Sequence, residues 1–240
     1  MQSPEDQQTD SWSFFDSIIC ITLQERPDRY HKAHEQFSAV GLEDRVEFLV
    51  VDKHPKNREQ GIFESHRQCI LKALESEART LLIFEDDVFF KNFSAKTLQA
   101  ACNYLKTMPT WDMFLLGGIT SGSRKTASSE LVTVQYRCLA HAYALNRSFA
   151  ETLADKKFDG TPWDEMLRRT CRNAFAIYPM CAYQGLQGSD NQTVIITWLR
   201  QALGGLPFIQ RANELYQNHK LLFTAFPLIV LLLLTVSFLV

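Results

Sequence analysis

Residues 80–90 read TLLIFEDDVFF, and Glu85, Asp86 and Asp87 interrupt an otherwise apolar run. Buried charge is costly unless it is paired or holds a metal. Side chains alternate along a strand, so Glu85 and Asp87 take one face and Asp86 the other. Two carboxylates on one face suit a hard divalent cation, magnesium or manganese, which prefers oxygen ligands and shares them with substrate phosphates. In parallel α/β sheets ligands bind at the carboxyl ends of strands, where these acids fall if the strand covers 80–84. Glu85 and Asp87 are therefore read as metal ligands. The plainer reading is an acidic strand end making salt bridges, but it leaves unexplained why the acids lie between LLIF and VFF.

The elements needed to position them are legible as an alternation. SIICITL (17–23) reads as a buried strand, and 24–41 as a turn followed by a helix with Pro27 at its first position and Gly41 at its stop. Residues 46–52 form a second predicted strand, 61–78 a helix, 80–90 the acidic strand, 95–108 a helix and 111–118 a fourth strand. This order predicts an α/β fold, Rossmann-type, with a mostly parallel sheet flanked by helices. Further on, 119–130 reads as a polar loop able to order over a ligand, and 131–145 as two strands. Thr161 is the predicted N-cap of a helix over 161–171, 173–180 is another strand, and 182–193 is a glycine-bearing loop.

The chain has 240 residues, with 46% hydrophobic and 22% charged, which is a globular composition. The net charge is −2, and no basic block recommends nucleic acid as a partner. Six scattered cysteines without a C-x-x-C pair read as reduced core residues. The polar start, 1–16, has no basic or apolar signal-peptide region. The end is different: Leu221 to Val240 carries no charge over twenty residues, about 30 Å of helix, behind His219 and Lys220. It predicts a C-terminal transmembrane helix over 219–240, with the preceding domain (17–193) facing the cytoplasm. Residues 194–218 then read as a juxtamembrane linker whose second half is an amphipathic helix with Phe208, Ile209, Ala212, Leu215 and Tyr216 on one face.

Several blocks, in order, resemble the family-25 glycosyltransferases, the group containing lipooligosaccharide and collagen galactosyltransferases. TLLIFEDDVFF resembles that family's LILEDD strand, and ITLQERPDR (21–29) its opening strand and N-L-x-x-R-x-x-R turn. QGIFESH (60–66) is similar to its G-C-x-x-S-H helix start. WDMFLLG, HAYAL, PWDEML and YPMCAYQGLQGSD fit later blocks, so the resemblance runs from about Ile18 to Asp190. Thr22 and Ile62 depart from it, standing where the family usually has Asn and Cys.

The resemblance implies a GT-A-like fold and a metal-dependent inverting transfer of a hexose from a UDP-sugar donor to a glycan, lipid-linked or protein acceptor. Arg26 and Arg29 would then bind uridine or phosphate through fixed guanidinium donors. Ser65, His66 and Asp86 would complete the donor site. Asp164, in the first turn of its helix, would be the general base for the acceptor hydroxyl, with Asp190 as its substitute. His141, in an apolar strand, reads first as a core histidine. Two other classes fit the same residues: an inactive, membrane-anchored nucleotide-sugar-binding module, and a metal-dependent phosphotransferase. The latter lacks a G-x-x-x-x-G-K-[ST] loop.

Overall fold

The computed structural model describes residues 11–108, 110–185 and 205–223. The elements run β1 (Ser17–Leu23), α1 (Pro27–Ala39), β2 (Glu47–Val51), α2 (Arg58–Glu75), β3 (Thr80–Glu85), β4 (Val88–Phe90) and α3 (Ala95–Lys106). There follow β5 (Met113–Leu115), β6 (Ile119–Lys125), β7 (Leu131–Cys138), β8 (Ala142–Asn146), α4 (Arg147–Ala154), α5 (Trp163–Thr170), β9 (Ala174–Ile177), β10 (Ala182–Gln184) and α6 (Gly205–Asn218).

Eight strands form one sheet in the order β2-β1-β3-β8-β5-β9-β7-β6. The alternation along β3 places Leu81 and Ile83 in one core, with Phe63 and Ile70 of α2, Leu153 of α4 and Trp163 of α5. Leu82 and Phe84 enter the other, with Phe37 of α1 and Leu98 and Leu105 of α3. The result is a Rossmann-like sheet with helices on both faces.

The sheet is mixed, not mostly parallel as expected. β1 runs parallel to β2 and β3, and β5 to β9, but β8 is antiparallel to β3 and β5, and β7 to β9 and β6. The physical reason lies in the connections: a parallel crossover needs a dozen or more residues, and the short link from β6 to β7 permits only an antiparallel hairpin. The predicted polar loop over 119–130 is mostly this hairpin's β6. Its polarity suits an edge strand, and α6 covers that edge. Asn213 accepts from the Thr120 N–H (3.0 Å) and donates to its carbonyl (3.1 Å), and Gln217 accepts from the Gly122 N–H (3.1 Å).

Three further expectations are corrected. The polar N-terminal lead hides an aromatic anchor: Trp12, Phe14 and Phe15 are buried, and Trp12 stacks on Phe93. The α5 helix begins at Trp163 after Pro162, without the side-chain cap expected from Thr161. The C-terminal transmembrane helix, and with it the single-pass membrane localisation, is overturned. Among the described residues no helix is long and apolar enough to cross a membrane. The helix before it, α6, buries polar Gln210 (1% exposed) and Glu214 (2%) against the sheet while Phe208 and Tyr216 lie outward. Most of the predicted span, from residue 224, lies outside the described residues, as does Asp190.

Candidate functional site

One cleft opens at the carboxyl ends of β1, β2 and β3, bordered by the N-terminal ends of α1 and α2 and by Gln184 of β10. Its volume is about 940 Å³ when the solvent-open mouth is included. Arg26, Arg29, Ser65, His66, Glu85, Asp86 and Asp87 all line it. Residues from separate segments of the sequence therefore meet in one place.

Only Glu85 lies on β3; Asp86 and Asp87 form the turn before β4, so the single strand expected over 80–90 is interrupted at the acids. Asp86, on the α1 side, is buried, accepting from the Thr22 hydroxyl (2.9 Å) and from Arg29 Nη1 (3.2 Å). Its carboxylate fixes the arginine and offers less to a ligand than the sequence reading gave it. Glu85, on the α2 side, approaches His66 Nε2 at 3.4 Å. Asp87 follows in the turn after β3, and β4 pairs with β10 in a register that sets Gln184 opposite Val88. Gln184 Nε2 consequently donates to Asp87 Oδ2 (3.1 Å) and lies 3.5 Å from Glu85 Oε2. Asp87 Oδ1 is buried with no hydrogen-bond partner.

Burial, then the charges of Asp164 and Asp86, pushes the Glu85 carboxyl up to about 8. Burial, then the Glu85 charge, raises Asp87 to about 7. Such a pair invites a proton or a cation. Among the described residues, however, no group of three or more His, Cys, Asp or Glu side chains is placed to hold a metal ion. Any cation here takes its remaining ligands from water or substrate, as magnesium commonly does.

The same cleft is lined by four basic residues, Arg26, Arg29, Lys53 and Arg58. Arg26 makes a two-point pair with Asp28 (2.9 and 2.8 Å), which holds the Asp28 carboxyl at about 2. Ser65 donates its hydroxyl to the Gly61 carbonyl at 2.8 Å. Burial keeps His66 neutral, its pKa lowered to about 3.

Asp164 is not among the cleft-lining residues. Its Oδ1 accepts from the Tyr136 hydroxyl and its Oδ2 from the Leu139 N–H at 3.1 Å. His141 is buried, with Nε2 3.2 Å from the Ala182 carbonyl, a contact inside the core. Behind it Gly117 has no room for a side chain, since a Cβ there would meet Ala182 O at 1.9 Å.

Sequence reasoning missed Gln184, Lys53, His54 and Arg58. Gln184 sits in the block YPMCAYQGLQGSD, but only strand pairing reveals that it meets the acids. His54 Nδ1 accepts from the Asn57 N–H (2.9 Å), which leaves the ring proton on Nε2.

No family model matches the chain, and no curated protein matches it. Solved structures resembling it include A197 from STIV (14% identity, TM-score 0.43, covering 70% of this chain and 84% of that one). Another is a mannose-1-phosphate geranyltransferase from Thermus thermophilus (9%, 0.43, covering 67% and 72%). A third is a glycosyltransferase involved in glycosylation of the major capsid of PBCV-1 (10%, 0.39, covering 67% and 81%). At these scores and identities the likenesses carry no argument about activity or ligand.

Proposed function

We propose that the chain is a glycosyltransferase that takes a hexose from a UDP-sugar and passes it to a hydroxyl of a glycan, lipid-linked or protein acceptor. The observation that carries the reading is that one cleft is lined by both Glu85 and Asp87 and by Arg26, Arg29, Lys53 and Arg58. A nucleoside diphosphate needs cationic donors along its diphosphate, and guanidinium groups supply them in fixed geometry. Asp86 contributes by holding Arg29 at the cleft. The order of the family-25-like blocks supports the same reading, with the acids on the strand end where a GT-A-like fold is expected to take its donor.

Glu85 and Asp87 fit a divalent cation, manganese or magnesium, because one buried Asp87 oxygen lacks a partner and burial disfavours leaving both charges uncompensated. Bound there, such an ion would neutralise charge gathering on the departing diphosphate. The basic residues lining the same cleft would do the same work.

The test is a panel of nucleotide sugars incubated with the protein and an acceptor mixture, with and without manganese, reading release of nucleoside diphosphate. Release from one donor that stops on chelation is expected. Release insensitive to chelation, or none from any donor, contradicts the reading, and pyrophosphate as product would move it to nucleotidyl transfer.

A further inference from the structure

His66 is 1% exposed and lies between the cleft and a polar chain inside the core. Trp163 Nε1 donates to the Tyr143 hydroxyl at 3.0 Å, and that hydroxyl is 2.9 Å from His66 Nδ1. An indole N–H can only donate, so Tyr143 accepts from Trp163 with an oxygen lone pair and keeps one proton to give. Within the described residues His66 Nδ1 is the acceptor it meets. The opposite arrangement, with the proton on Nδ1, would leave a buried hydroxyl proton without an acceptor. With Glu85 ionised, as a cation ligand would be, it would also turn the Nε2 lone pair toward that carboxylate, whose Oε1 is 3.4 Å away. The indole further holds the imidazole plane, since the two rings stack at 5.0 Å with 8° between them.

We propose that His66 is a positioning residue, locked by Trp163 and Tyr143 with its proton on Nε2, and that this N–H holds Glu85 Oε1 in place. An Nε2 that donates has no lone pair for a metal. His66 therefore orients a ligand and is not one itself, in contrast to the donor-site role that its motif suggested. Asp87 Oδ1, and Glu85 Oε2 with its long contact to Gln184 (3.5 Å), are the oxygens that would then serve a cation. The role assigned to Glu85 rests on the reading of Glu85 and Asp87 as cation ligands; the position of the ring proton does not. Outer partners of this kind commonly change metal affinity by about 10–100-fold when removed.

The experiment uses full-length protein labelled with ¹⁵N at histidine, with the His66 ring signals assigned by their loss in His66→Gln. The expected spectrum shows a protonated Nε2 and a bare Nδ1, and Tyr143→Phe is expected to lose that single state. A proton found on Nδ1 in the wild type overturns the proposal. Manganese titration supplies the second readout. His66→Leu is expected to bind about 10–100-fold more weakly, and His66→Gln, which keeps an N–H donor near the Nε2 position, to recover most of that loss. Equal manganese affinity in wild type and His66→Leu overturns the positioning role. If the wild type takes up no manganese, the cation reading of Glu85 and Asp87 fails, while the ring-nitrogen signals still decide the proton's place.

Discussion

Gln184 Nε2 stands 3.1 Å from Asp87 Oδ2, tying β10 to the acids at the end of β3 across 97 positions of sequence. The amide donates into a crowded carboxylate pair, and its hydrogen bond lowers an Asp87 pKa that burial otherwise raises. Gln184→Leu is predicted to raise that pKa further, so manganese binding should shift to higher pH and weaken by about 10–100-fold at neutrality. An unchanged binding profile would show that the contact has no role at the site.

The raised carboxyls carry a stability consequence. Glu85 is pushed to about 8 and Asp87 to about 7, against about 4 in an unfolded chain. Between those limits the folded state binds more protons than the unfolded one, so stability falls as pH rises through about 4 to 8. Both groups are partly open to solvent, and each penalty is discounted to about 1 kcal/mol. Asp87→Asn is predicted to raise Tm at pH 8 by about 2–4 °C in chelator-treated protein, with little gain at pH 5. A gain of the same size at both pH values would mean that the buried charge is not its source.

Gly61 lies where α2 passes the loop carrying His54. A Cβ there would sit 2.7 Å from His54 Cβ. Replacing a helical glycine by alanine ordinarily gains about 0.5–1 kcal/mol. Here the collision is with an atom next to the backbone, which cannot swing away, so the sign reverses. Gly61→Ala is expected to lower Tm and to weaken nucleotide binding together, as His54 is displaced from the cleft. A more stable variant with unchanged binding would contradict the packing described.

Asp164 tests a sequence expectation directly. Its Oδ2 accepts from the N–H of Leu139, whose φ of +73° is unusual for a non-glycine residue. Asp164→Asn turns an amide donor toward one of two existing donors and is predicted to cost about 1–3 kcal/mol, or about 2–4 °C in Tm for each kcal/mol. A variant with wild-type Tm whose turnover falls by roughly two to four orders of magnitude would instead fit a general base.

Much of this site was legible because its signals are local. The apolar run ahead of the acids in TLLIFEDDVFF marks the strand that ends at them, and in the fold Glu85 meets His66 of α2 while Asp86, in the turn that follows, meets Arg29 of α1. Pro27 and Asp28 marked the start of α1, and with it the position of Arg26 and Arg29. What remained hidden depends on pairing between distant segments. Nothing near Gln184 announces the β4–β10 ladder, and nothing near β6 announces that α6 covers its edge. The apolar spacing of 208–216 was misleading for a related reason. The helix buries Gln210 and Glu214 because they meet backbone groups, Ala182 O at 2.7 Å and Met180 N at 2.6 Å, that need partners. Apolar periodicity records nothing of that demand.

The most direct test of the central claim, that Glu85 and Asp87 hold a cation shared with a nucleoside diphosphate, is calorimetric titration of UDP into wild type and Asp87→Ala, each with manganese and with chelator. The account predicts UDP binding to the wild type that requires manganese, and loss of that manganese dependence in an Asp87→Ala protein with an unchanged circular dichroism spectrum. UDP binding of equal strength in all four titrations would contradict it.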